Sequence, residues 1–168
     1  MDKEDAHHIH LSKKLIGYRR CLEIFAIVII VILVIITTYQ VFGRYVLSST
    51  PKWSEELARI LLVWLTFIGS AIAFGKGIHL KIDLLDRWLS EKINTYLNIV
   101  VDVLLVIFLF VVSLKCYQFM NQISDLQTPA LGIPNYTIYL GLFIGFAASL
   151  PFVLASLIRS LKSLKGGT

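Results

Sequence analysis

The sequence predicts an all-α integral membrane protein: four transmembrane helices with short interfacial helices, and both termini in the cytoplasm. Three observations lead there. Hydrophobic residues make up 57% of the 168-residue chain and charged residues only 16%. With a mean hydropathy of +0.75, that is more apolar surface than a soluble domain of this size could hide. The apolar residues fall into long runs of membrane-helix length. The cations collect on one side of those runs: Lys3, Lys13, Lys14, Arg19 and Arg20 before the first, Lys76, Lys81, Arg87 and Lys92 between the second and third, and Arg159, Lys162 and Lys165 at the end. By the positive-inside rule that side is cytoplasmic.

Residues 1–21 read as a cytoplasmic tail that ends in an amphipathic helix. Leu11, Leu15, Tyr18 and Leu22 recur at helical spacing, with Lys14, Arg19 and Arg20 elsewhere around the turn, so this helix is expected to lie along the inner headgroups. The first span covers 24–47. A polar tail precedes it, its apolar run exceeds a signal-peptide h-region and no small-residue cleavage site follows, so it is expected to stay as a helix. Ser49-Thr50-Pro51 is a helix-start signal, with Thr50 as N-cap and Pro51 at the first helical position. The outer turn between the first two spans should therefore be tight.

The second span covers 53–74 and is short. From Ile60 to Gly75 its roughly sixteen uncharged residues rise about 24 Å against a hydrocarbon core of about 30 Å. Its charged first turn must then lie at the membrane boundary. The inner connection carries an apolar stripe of Ile78, Ile82, Leu85 and Leu89, with His79, Asp83 and Asp86 opposite, and reads as a short interfacial helix. The third span covers 93–120. The outer segment after it lacks Lys and Arg from Asn121 to Tyr136, and Pro129, Gly132 and Pro134 break regular structure there. A fourth span covers 136–161, with Pro151 expected to bend it. No separate soluble domain remains, so residues 1–168 form a single membrane domain.

Several function classes can be set aside. The basic residues flank apolar spans and form no aromatic-interleaved stripe, which argues against nucleic acid. Cys21 and Cys116 fall at opposite ends of their spans, beyond disulfide reach, and neither belongs to a C-x-x-C pair. His7, His8 and His10 sit in the tail and His79 at an interface, so no span offers a haem ligand. No cofactor or metal site is expected, and the chain does not read as an enzyme.

Two groups of residues could still carry function. Asp102 is a carboxylate well inside a span, which suits either a proton or cation relay or a buried acid paired with a neighbouring helix. Arg44, Glu55, Glu56 and Arg59 cluster where the first two spans meet. Glu55 and Arg59 stand four apart in the favourable ion-pair orientation, and Arg44 can approach across the turn. The cluster reads as a clasp on two helix ends, a subunit-docking surface, or both. Gly69, Ala73 and Gly77 in the second span, and Gly141, Gly145 and Ser149 in the fourth, recur every fourth residue and allow close helix approach, within the chain or to a partner. Trp53, Trp64 and Trp88 are candidate interfacial or packing anchors.

The run Gln40-Val41-Phe42 with Arg44-Tyr45, then Trp53-Ser54-Glu55-Glu56-Leu57-Ala58-Arg59, Trp64, Gly69, Ala73, and finally His79 and Asp83, resembles the small membrane subunit of tripartite ATP-independent periplasmic (TRAP) transporters. The likeness is close through Asp83 and beyond it rests on length and topology. It implies a subunit in a bacterial inner membrane, partnered by a large membrane subunit that carries the substrate and sodium sites and by a periplasmic solute-binding protein that delivers an organic acid. Sialic acid and C4-dicarboxylates are both substrates in that family, with the sialic acid branch the nearer in feel. The resemblance also implies that Gln40, Arg44, Trp53, Glu55, Glu56, Arg59, His79 and Asp83 mark a subunit interface or structural clasp. Two other readings stand beside it: a stand-alone proton-coupled transporter built on Asp102, and the membrane anchor of a redox enzyme.

Overall fold

A computed structural model of the chain describes residues 3–46, 51–76 and 91–165; at 3–14, 91–92, 94 and 163–165 the description is of backbone alone. The interfacial helix expected around Ile78 to Leu89, with His79, Asp83 and Trp88, lies outside the described residues, as do Gly77 and Thr50.

The described chain forms four helices: α1 (Lys3–Tyr45), α2 (Lys52–Gly75), α3 (Glu91–Gln122) and α4 (Tyr136–Lys165). Each contains a stretch long and apolar enough to cross a membrane. The amphipathic segment at the start is not a separate helix, because α1 runs unbroken from Lys3 to Tyr45. No proline interrupts it, and Gly17 costs a helix only about 1 kcal/mol relative to Ala. Pro51 stands one place earlier than expected. It is the N-cap itself, with φ −64° and ψ 125°, and α2 begins at Lys52. An imide nitrogen has no N–H to leave unsatisfied there. The Ser54 hydroxyl donates to the Pro51 carbonyl at 2.7 Å and anchors the first turn.

The helices pack as a row in the order α1, α2, α4, α3. One end of the row, the turn end, carries the close of α1 and α3 and the start of α2 and α4. The other, the terminal end, carries the close of α2 and α4.

A seven-residue rhythm underlies the α1–α2 seam. Leu22, Ala26, Ile29, Leu33, Ile36, Gln40 and Gly43 are spaced alternately four and three apart, and all are buried or half-buried while most of their neighbours are exposed. Ala26 and Ile29 meet Ile68, with Leu61, Trp64, Leu65 and Ile72 around them. This is knobs-into-holes spacing. Between α2 and α4 the contact is closer, because α4 presents glycines. A Cβ on Gly141 would lie 2.5 Å from the Trp64 ring, and one on Gly145 would lie 2.7 Å from the Phe67 backbone.

Asp102, Leu109, Ser113, Cys116 and Met120 form the buried stripe of α3. Ring pairs Phe119–Tyr139, Tyr117–Phe143 and Phe108–Phe146 join α3 to α4, and the Cys116 thiol donates to the Tyr139 carbonyl at 3.3 Å. Pro151 lies inside α4, which continues through it. The Tyr18 hydroxyl makes a long 3.5 Å contact with the Ala148 carbonyl, beside the acceptor that Pro151 leaves unused.

Candidate functional site

The charged residues of the α1–α2 junction separate into three environments at the turn end. Glu55, in the first turn of α2, accepts from the Arg59 guanidinium at 3.3 Å, and both side chains are largely exposed. An acid at that position also suits the positive end of the helix dipole. Glu56, one residue on, turns the other way. Its Oε1 accepts from the Ala130 N–H at 3.0 Å and its Oε2 from the Leu131 N–H at 2.9 Å. Both oxygens of one carboxylate thus hold two successive amides of the loop between α3 and α4. Charge-assisted bonds of this kind are stronger than neutral ones.

That loop is built to present those amides. Gln127 and Pro134 form an antiparallel bridge. The Thr128 N–H donates to the Ile133 carbonyl at 2.8 Å, the Asn135 N–H to the Leu126 carbonyl at 2.8 Å, and the Gly132 N–H to the Thr128 carbonyl at 3.0 Å. Gly132 has φ +66°, the left-handed region that favours glycine, so it closes the tight turn. Pro129 within the turn and Pro134 at the bridge restrict the backbone of the hairpin. The segment expected as an irregular outward loop is therefore an ordered hairpin held by α2.

Arg44 is exposed at the last turn of α1 and makes no ion pair with Glu55 or Glu56. The cluster does not close as a four-residue clasp. The i,i+4 spacing of Glu55 and Arg59 lets them pair along α2 without Arg44, and the backbone amides of the loop take Glu56. Trp53 stacks on Tyr39 of α1, with ring centroids 6.1 Å apart and planes at 28°. Gln40 lies on the α1 seam with its amide nitrogen buried and unbonded among the described residues.

Lys52, Trp53, Glu55, Glu56, Arg59, Pro129 and Ala130 line an open groove between the start of α2 and the hairpin. It offers an aromatic face, two cations and backbone amides already engaged by Glu56.

The small-residue stripes divide. Gly141 and Gly145 are covered by Trp64 and Phe67, and the Trp64 indole N–H donates to the Thr137 carbonyl at 2.9 Å, just above that contact. Gly69 has nothing within 4 Å of a Cβ position, and Ala73 is half-buried. The glycine of α2 that is packed is Gly75, against the Phe152 ring and Arg19. Sequence reasoning also missed Glu23, which pairs with Arg19 at 3.5 Å and with Lys76 at 3.4 Å near the terminal end. The i,i+4 spacing of Arg19 and Glu23 was visible in the sequence; the approach of Lys76 was not.

The family model for the DctQ component of tripartite ATP-independent periplasmic transporters matches residues 33–163. A Haemophilus influenzae protein assigned by name to the TRAP transporter small permeases is 27% identical over 161 residues, 96% of each chain. The Vibrio cholerae sialic acid TRAP transporter small permease protein SiaQ is 27% identical over 71% of each chain. The Haemophilus influenzae sialic acid TRAP transporter permease protein SiaT is 37% identical over 71 residues, which is 42% of this chain and 12% of that much longer one.

Proposed function

This chain belongs to the DctQ family, the small membrane subunits of TRAP transporters, and from that membership we propose that it braces the large transport subunit of a sodium-coupled importer of organic acids and helps to receive the periplasmic binding protein. It is a multi-pass membrane protein, and we place it in a bacterial inner membrane with both termini in the cytoplasm. The turn end of the row is then periplasmic, and the groove of Lys52, Trp53, Arg59 and the hairpin faces the side from which a binding protein arrives.

The observation that carries the bracing role is the hold of Glu56 on Ala130 and Leu131. It ties the start of α2 to the α3–α4 hairpin, so three helix ends move as one. A brace must resist relative motion while another chain moves, and a bidentate carboxylate on rigid backbone suits that task. Arg44, exposed and unpaired with either glutamate, is a cation available to a neighbouring subunit. We extend the docking assignment to Gln40, Trp53, Glu55, Arg59, His79 and Asp83 from the family resemblance. The relative SiaT, in which the likeness occupies 12% of a longer permease, supports a working position beside a large permease. The substrate class is an organic acid, and sialic acid is the first to test because SiaQ and SiaT carry that name.

The deciding experiment coexpresses this chain with a cognate large membrane subunit, reconstitutes both, and measures sodium-driven uptake with and without the small subunit and binding protein. Uptake that needs all three chains supports the proposal. Uptake by this chain alone overturns it and turns attention to Asp102.

A further inference from the structure

Asp102 is the most deeply buried ionisable group among the described residues, with 1% of its surface exposed, and neither carboxyl oxygen meets a hydrogen-bond donor by distance and angle. It lies on the α3 stripe that packs against α4, with Ser156 of α4 beside it. It takes part in no ion pair among the described residues.

The charged groups on the two elements that form this seam are few. On α4 they are Arg159, about one turn beyond Ser156 and exposed, Lys162, nearly two turns beyond and also exposed, and Lys165 at the end of the helix, whose side chain lies outside the described residues. On α3, Lys115 stands thirteen residues away, roughly 20 Å along the axis. It is turned to Gln118 at 3.3 Å. The Glu91 and Lys92 side chains at the start of α3 lie outside the described residues. The polar groups facing the same seam, Ser113 and Ser149, are neutral, and the Ser149 hydroxyl already donates to the Gly145 carbonyl at 2.8 Å.

A carboxylate anion in such a place would be a buried charge with no counter-ion among the described residues and no donor beside it but the Ser156 hydroxyl, a costly condition for a charge away from water. A partner subunit cannot relieve it, since the side chain has almost no surface to offer. A carboxylic acid is different: it carries no charge, supplies one O–H donor and keeps acceptor capacity. Apolar sites elsewhere hold carboxyls in that form so that they can donate.

We propose that Asp102 is a proton-binding site, at which the carboxylate takes one proton from a solvent hydronium ion, leaving water, becomes a carboxylic acid and donates a hydrogen bond to the Ser156 hydroxyl oxygen, joining α3 to α4. One O–H bond of hydronium breaks as one O–H bond forms on the carboxyl, nothing is oxidised or reduced, and the proton stays resident. The inference is independent of the transporter reading: it concerns how two helices are held together, not what the complex carries.

The test is infrared difference spectroscopy of the full-length protein in lipid nanodiscs at neutral pH, parent against Asp102→Asn. The expected result is one protonated-carboxyl stretching band in the parent that is lost in the variant. Ser156→Ala should shift that band without removing it, and Asp102→Asn, whose amide can also donate, should melt close to the parent while Asp102→Leu melts lower. A difference spectrum with only ionised-carboxylate bands overturns the proposal. So does a Ser156→Ala spectrum identical to the parent, or an Asp102→Asn melt as low as that of Asp102→Leu. Should the variants fail to fold, a pH titration of the parent alone decides: a protonated band that persists through neutrality supports the site, and its disappearance below neutrality overturns it.

Discussion

The Glu23 carboxylate of α1 stands 3.4 Å from the Lys76 ammonium at the C-terminal cap of α2, and Arg19 approaches the same carboxylate from one helical turn before it. Glu56 performs a comparable task at the opposite end of the row. Each glutamate ties together elements that are not adjacent in the chain at that point. Glu23 does so through side-chain cations and Glu56 through backbone amides, and the difference in donor partners sets different expectations for their removal.

Replacing Glu23 with Gln should lower thermal stability modestly. All three side chains are about a third to a half exposed, so solvent screening limits the loss to about 1 kcal/mol. The Arg19 Nε, already without a hydrogen bond, would then have no paired anion among the described residues. Thermal unfolding in detergent checks this, and the loss should shrink as salt is raised.

Glu56→Ala should act locally and more strongly. Two charge-assisted bonds disappear from the hairpin, each worth about 1.5–3 kcal/mol where water is excluded and less at this half-open site. Backbone amide exchange at Ala130 and Leu131 should accelerate by about tenfold or more, since about 1.4 kcal/mol corresponds to a factor of ten. Amides in α3 and α4 should be nearly unchanged. Hydrogen exchange read by mass spectrometry over residues 126–135 measures it, and uniform acceleration across the chain would contradict a local clamp.

Arg59→Ala should separate stability from assembly. Its pair with Glu55 is exposed and within one helix, worth about 0.3–0.5 kcal/mol. The isolated subunit should therefore melt almost like the parent, while copurification with the large subunit or response to the binding protein falls. Equal loss in both assays, or in neither, would remove Arg59 from the docking surface.

The glycines give a graded series. Gly145→Ala would push a Cβ into the Phe67 backbone, which cannot rotate away, whereas at Gly141 the obstacle is the Trp64 ring. Overpacking of this kind costs about 1–3 kcal/mol, with Gly145 the more severe. Gly69→Ala meets nothing and should be neutral or stabilising by up to about 1 kcal/mol in the isolated chain. Thermal melts of the three variants check the order. A Gly69→Ala subunit that is stable but fails to join its large partner would show what that open position accommodates.

Four long apolar helices could be read from the sequence because uncharged runs of membrane length admit few other structures. The α1 seam could not be seen. Its seven-residue rhythm is hidden in a stretch where the exposed positions, such as Ile27, Val31 and Ile35, are as apolar as the buried ones. The Glu55–Arg59 pair was legible because it is local, while the hold of Glu56 on Leu131 joins residues 75 apart and leaves no periodic trace. The same limit applied to the glycines: the four-residue spacing around Gly69 and around Gly141 looks alike in sequence, yet only the second meets a neighbour. Which helix lies beside which is a tertiary fact, and it decided both outcomes.

Four helices in a file, with α1 reaching α4 only around Tyr18, form no closed ring among the described residues. A closed barrel of helices would have a lumen in which a solute could rest; a file has two broad sides and two long margins, and a solute could only pass alongside it. The margins here belong to α1 and α3, where Ile35 and Phe110 are each more than half exposed. Hydrocarbon or a neighbouring chain must cover both. A protein of this shape has the outline of a partition, and what it can do depends on what is set against it.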